Sequence, residues 1–116
     1  MSPGEPNDVN LDPARVRQLH ESGDAQLVDV RRPEEVEAGH IADSVHIEMT
    51  EVGARTDEID RDRPVIFYCR VGSRSAFVTE AFRNAGYDAH NMEGGLQAWA
   101  DQGLPLEPED GTVAAE

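Results

Sequence analysis

Lysine is absent from this chain and cysteine occurs once. The aromatic residues are one tryptophan, two tyrosines and three phenylalanines in 116 positions. A single cysteine excludes an internal disulfide and agrees with a reducing cytoplasm. No stretch approaches the roughly 20 consecutive apolar residues that cross a bilayer. Met1 to Asp8 has neither the basic start nor the apolar run of an export signal. Positive charge is scarce: 24 acidic side chains face 10 arginines, for a net charge of −14. This balance argues against nucleic acid or an anionic membrane as a partner. The molecule as a whole repels small anions, so an anion site needs cations gathered locally. The length suits one domain with one core.

What is present centres on the lone cysteine, Cys69. Pro64-Val65-Ile66-Phe67-Tyr68 reads as a buried strand, and Ser75 to Ala85 as an amphipathic helix. Between them lies Cys69-Arg70-Val71-Gly72-Ser73-Arg74, a short loop with one glycine and two arginines. A thiol at a strand's carboxyl end, facing a helix start, meets unpaired amides and the positive end of the helix dipole. Such a setting favours the anionic form of sulfur, which is the nucleophile. The amides of residues 70 to 75 offer six donors, and Gly72 permits the tight curvature a Cβ would obstruct. Ser73 and Ser75 can add hydroxyl donors, with Ser75 also a candidate helix cap. Arg70 and Arg74 can supply the local positive charge. Most lone cysteines are inert and buried; the loop around this one points instead to a reactive thiol.

The rest of the chain alternates strand-like and helix-like segments, which implies an α/β domain with a mainly parallel sheet. Asp12-Pro13 is an N-cap followed by proline at the first helical position, opening a helix to about Glu21. Ala25 to Val30 is a short strand, Pro33 to Ala38 one or two helical turns, and Ile41 to Ile47 holds a brief strand. Thr50 to Ile59 is a helix candidate, Ala89 to Met92 a strand, Gly94-Gly95 a turn, and Leu96 to Gln102 a last helix in which Trp99 packs into the core. Residues 1–8 and 107–116 read as flexible tails around a domain spanning 9–106, the second tail acidic. In such sheets ligands sit beyond the carboxyl ends of the strands, which is where Cys69 falls.

Asp29-Val30-Arg31 with Glu35, then Gly39-His40-Ile41, the cysteine loop, and Gly94-Gly95 with Ala98-Trp99 together resemble a single-domain rhodanese, a sulfurtransferase. The resemblance spans roughly residues 9 to 104. It implies a compact domain with a central, mainly parallel five-stranded sheet and helices on both faces. It also implies that Cys69 cycles through a persulfide without a cofactor. The substrate loop is then Arg70, Val71, Gly72, Ser73, Arg74 and Ser75. The expected partners are a small anionic donor such as thiosulfate and an external thiol, cyanide or acceptor protein. One departure is Ala42-Asp43-Ser44, where the family usually has Pro-Gly-Ala.

Two other functions stay open. One is a relay or binding module loaded by a partner protein. The other is a phosphatase or arsenate reductase, whose related loop resembles Cys-x5-Arg. Here the arginine is the fifth residue after Cys69 and position 75 is serine, so the loop is one residue short for a tetrahedral oxyanion. Asp29, Arg31 and Glu35 read as structural, with Arg31 pairing Glu35 near a turn. His40 reads as packed, His46 as a candidate for the site rim, and His20 and His90 as helix-surface and strand-end residues. Four histidines and one cysteine at no ligand-like spacing give no support for a metal.

Overall fold

The computed structural model describes residues 8–116, so the segment read as an N-terminal tail lies almost wholly outside the described residues. Five short strands form one sheet: β1 (Asn10–Leu11), β2 (Gln26–Asp29), β3 (Val45–His46), β4 (Val65–Tyr68) and β5 (Ala89–Met92). Their order is β1-β5-β4-β2-β3, and every neighbouring pair is parallel. Four helices connect them: α1 (Pro13–Glu21), α2 (Pro33–Ala38), α3 (Ser73–Asn84) and α4 (Gly95–Asp101). β4 is the central strand.

Side chains alternate across a strand, so β4 feeds two separate cores. Ile66 and Tyr68 join Val16 and Leu19 of α1 and Leu96 and Trp99 of α4. Val65, Phe67 and then Cys69 join Val78 and Phe82 of α3 on the other face, with Val28, Val30 and Ile47. Helices therefore cover both faces, and a strand buried on both sides has to be apolar throughout.

Local signals set most boundaries. The Asp12 carboxylate caps α1 by accepting from Arg15 N at 3.0 Å, with Pro13 at the first turn. Three segments depart from expectation. Thr50 to Ile59 forms two 3-10 turns, Val52–Ala54 and Thr56–Glu58, that bury Val52 and leave most of their side chains exposed. β1 is too short for a periodic signal and exists because Asn10 and Leu11 extend the sheet beside β5. The segment 107–116, read as a tail, lies against the domain: His40 and Glu107 form an antiparallel bridge, and Thr112 N donates to Ala38 O at 2.8 Å. Its polar composition conceals backbone pairing that no side-chain pattern encodes.

Candidate active site

Cys69 follows the last residue of β4, so its side chain falls on the α3 face, fully buried. The chain must then turn at once into α3. Gly72, the N-cap, takes φ +98°, and a Cβ there would lie 3.4 Å from Gly94 N and 3.5 Å from Met92 O. The distances are ordinary contact; it is the left-handed φ that glycine alone adopts without strain. The helix starts two residues earlier than its pattern suggests, so Ser73, Arg74 and Ser75 are its first turn and Ser75 is inside the helix rather than its cap.

Three donors converge on the sulfur. Gly72 N donates to Cys69 Sγ at 3.2 Å, Ser75 N at 3.4 Å, and Ser75 Oγ lies at 3.4 Å. Of the six amides expected, those of Gly72 and Ser75 come within hydrogen-bond distance of the sulfur. The amides of Ser73 and Arg74 lie in the first turn, where an α-helix offers no acceptor. The positive end of α3 thus faces the thiol.

The loop is held from behind by α4. Leu96 N donates to Cys69 O at 2.8 Å and Gln97 N donates to Arg70 O at 2.9 Å. These two bonds fix the loop's first two carbonyls against α4, just ahead of Gly72, whose amide meets the sulfur. The close approach depends on Gly95, whose φ is +62° and whose Cβ would sit 2.5 Å from Arg70 O and 2.6 Å from Cys69 O. Gly94-Gly95 is therefore part of the site and more than a turn.

Asn91, unremarked in the sequence, completes it. Ser75 Oγ lies 2.5 Å from Asn91 Oδ1, and Asn91 Nδ2 donates to Asn10 Oδ1 at 3.1 Å. A hydroxyl has one proton, so Ser75 can donate to Asn91 or to the sulfur but not to both. Asn91 controls that choice from the end of β5. A polar residue buried in a four-residue strand was the only sequence signal for it.

The two loop arginines have different fates. Both guanidinium Nη atoms of Arg74 are bound by the Glu35 carboxylate, at 2.8 and 2.9 Å, and Arg74 Nη2 also meets Glu116. Arg70 is half-buried. Among the described residues it alone of the ten arginines makes no side-chain hydrogen bond or ion pair, and its Nε is buried without a partner. In a protein with 24 acidic residues, one unpaired arginine beside the thiol is a cation held in reserve. Val71 is an exposed rim residue and Ser73 is exposed at the helix start.

The expected Arg31–Glu35 side-chain pair does not form. Arg31, fully buried, binds the Asp29 carboxylate with Nε at 2.9 Å and Nη2 at 2.7 Å, and donates to the backbone carbonyls of Glu35 and Gly39. Burial alone would lower its pKa, but the bonds to Asp29 raise it above the ordinary guanidinium value. Asp29 is two residues away on the strand end and reaches Arg31 first, leaving the Glu35 carboxylate for Arg74 and Arg32. Burial pushes the Glu35 carboxyl up, but hydrogen bonds from Arg74 and from the Arg32 backbone outweigh it and hold its pKa at about 2. The same contact raises Arg74 above its ordinary value.

The histidine rings are bonded to groups other than the sulfur. His46 Nε2 donates to Arg31 O at 2.7 Å and His40 Nδ1 to Val36 O at 3.1 Å. His20 bonds Ala42 O, while His90 is buried in β5 between Asp8 O and Asp88 rather than exposed at a strand end. The departure at 42–44 builds a turn with Asp43 at φ +64° and Ser44 Oγ 2.9 Å from Tyr68 OH. Among the described residues no group of three or more His, Cys, Asp or Glu is placed to hold a metal ion. Among the described residues, too, no helix is long and apolar enough to cross a membrane.

Comparison with known proteins places this site in context. A family model for the rhodanese-like domain matches residues 12–102. A sulfurtransferase of Allochromatium vinosum is 38% identical over 96 residues, covering 82% of this chain and 90% of that protein. The thiosulfate sulfurtransferase GlpE of Pseudomonas aeruginosa is 36% identical over 88 residues, covering 75% and 79%. The crystal structure of a rhodanese-related protein from Thermoplasma volcanium superposes with a TM-score of 0.79 at 28% identity, over 85% of this chain and 97% of that one.

Proposed function

Because the chain belongs to the rhodanese-like domain family, we propose that it is a sulfurtransferase carrying sulfane sulfur on Cys69. The donor is thiosulfate or a persulfide, and the acceptor is a thiol or cyanide. The observation that carries this reading is the convergence of Gly72 N and Ser75 N on a lone cysteine sulfur, with the Ser75 hydroxyl within reach. Relatives named as thiosulfate sulfurtransferases support the choice of donor.

Cys69 as thiolate attacks the outer sulfur of thiosulfate. A new S–S bond forms, the old one breaks, and its electron pair leaves on sulfite. The terminal sulfur of the Cys69 persulfide then carries the negative charge, lying beyond Sγ where the amides of Ser73 and Arg74 lack an acceptor. An incoming thiolate or cyanide attacks that terminal atom and takes it as a persulfide or thiocyanate, returning the Cys69 thiolate. No second cysteine exists to discharge the persulfide internally, so the acceptor comes from outside. Arg70, unpaired among the described residues, binds the sulfonate end of the donor and steadies departing sulfite.

Arg74, at the fifth place after the cysteine, is held by Glu35 and is not free to close over a phosphoryl group as a phosphatase arginine would. Its role is to position the first turn of α3.

The test is the mass of the intact protein after incubation with thiosulfate. It should rise by one sulfur atom, and Cys69→Ser should abolish the gain. Arg70→Ala should raise the KM for thiosulfate by about tenfold or more while leaving discharge by a neutral thiol unchanged. No added sulfur together with turnover of an aryl phosphate or arsenate overturns this reading. Loading only by a persulfide-bearing protein would make the domain a relay.

A further inference from the structure

Residues 107–116 lie outside the span matched by the family model, yet they follow a defined path over the domain. His40 N donates to Glu107 O at 2.9 Å and Glu107 N returns to His40 O at 2.7 Å. Gly39 and Gly111 then let two backbones touch. A Cβ on Gly39 would overlap the backbone of Thr112, and one on Gly111 would lie 3.2 Å from Gly39 Cα. Val113 packs on the α1–α4 core. Past this anchor Glu116 reaches the first turn of the active-site helix, its Oε1 2.5 Å from Arg74 Nη2.

Glu116 enters a pocket of about 330 Å³ beside the cysteine loop. Val30 and Met49 form an apolar wall with Thr50 beside them; Arg74 and Arg32, the latter also paired with Glu34 and Glu35, supply the cations, and Glu48 lines the pocket as well. The pocket meets the active-site segment at Arg74, the residue before Ser75, whose N and Oγ reach the sulfur, and Val30 belongs to the same hydrophobic cluster as Cys69. Glu35 takes the end of the Arg74 guanidinium formed by Nη1 and Nη2, Glu116 shares Nη2, and Nε is buried without a partner. A carboxylate can meet Arg74 from the Glu116 side through Nη2.

We propose that this pocket is the subsite for the carboxylate of a small thiol acceptor, and that residues 107–116 form a strap seating Glu116 there as a tethered competitor. The identity of the acceptor as a thiol rests on the sulfurtransferase reading; the carboxylate preference does not. An ion pair this exposed is weak, so an incoming carboxylate displaces Glu116 once its local concentration matches that set by the tether. The short apolar wall accommodates the methylene body of such a thiol while its sulfur turns toward Cys69.

The experiment compares alkylation of Cys69 by iodoacetate and by iodoacetamide, which differ in a carboxylate and not in reactive carbon. It uses the full chain and the variants Glu116→Gln and Glu109→Gln, the second removing an exposed strap charge that does not line the pocket. Glu116→Gln should raise the iodoacetate-to-iodoacetamide rate ratio by about two- to fivefold, and Glu109→Gln should leave it unchanged. With persulfide-loaded protein, Glu116→Gln should lower the KM for 3-mercaptopropionate but not for 2-mercaptoethanol. Three outcomes overturn the proposal: an unmoved ratio, an equal rise in both variants, which is a whole-molecule charge effect, or equal acceleration of both reagents, which is steric uncovering. Failure of thiosulfate to load Cys69 would defeat the sulfurtransferase reading alone, because the alkylation ratio needs no sulfur transfer.

Discussion

Glu35→Gln removes a charge and little else, and the structure sets the size of the effect. The carboxylate is almost wholly buried between Arg74 and Arg32, and its pKa is held at about 2 against an ordinary 4.5. A depressed acid stabilises the fold above its unfolded pKa, and that contribution is lost as pH falls through the folded one. The shift corresponds to a ceiling of about 3 kcal/mol at neutral pH. Solvent reaches the one-fifth-exposed Arg74 side chain and screens part of it, leaving about 2–3 kcal/mol. Less than half of this remains at pH 3, because Glu35 is then partly protonated in the fold and almost fully in the unfolded chain. Urea denaturation of both proteins across pH 7 to 3 measures the difference and cancels the other acidic groups. The gap between them should be widest at pH 7 and should close mainly between pH 4.5 and 2. A gap of constant size from pH 7 to pH 3 would refute the argument that Glu35 works as a buried anion. The same variant should slow sulfur loading, since Arg74 loses the anchor that orients the first turn of α3.

Two further substitutions probe the loop supports. Gly95→Ala brings a Cβ to 2.5 Å from Arg70 O at a φ of +62°, a strain of about 1–3 kcal/mol. Thermal unfolding should shift down, and sulfur loading should fall even where the protein remains folded, because displacing the Cys69 and Arg70 carbonyls shifts the loop that leads to Gly72 N; full activity would mean α4 does not support the site. Asn91→Asp replaces an amide with a fixed acceptor that keeps the Ser75 proton from the sulfur, so Cys69 should alkylate more slowly at neutral pH. Asn91→Ala frees that proton and should act in the opposite sense, and slowing in both variants would show Asn91 to be packing only.

The elements legible in advance were those with their own local cause. The cap at Asp12 and Pro13, the apolar run 65–68 and the strand 89–92 rest on neighbours in sequence, and the structure keeps each of them. The 3-10 turns at 52–58 were misread because helical spacing there is weak, and the segment's main anchor is burial of Val52 and Ile59 against the sheet. Whether Arg74 or Arg70 stays free could not be read from the loop, since the deciding partner, Glu35, is 39 residues away.

What the chain order settled by itself was the α/β alternation, the single thiol at a strand end and the glycine that lets the loop turn, because strand period, helix caps and φ preference are properties of adjacent residues. What tertiary structure alone decided was which groups meet: α4 amides on the loop carbonyls, Asn91 on Ser75, and Glu35 and Glu116 on Arg74. Those contacts depend on five strands stacking in one order, and parallel pairing joins residues that no local spacing connects.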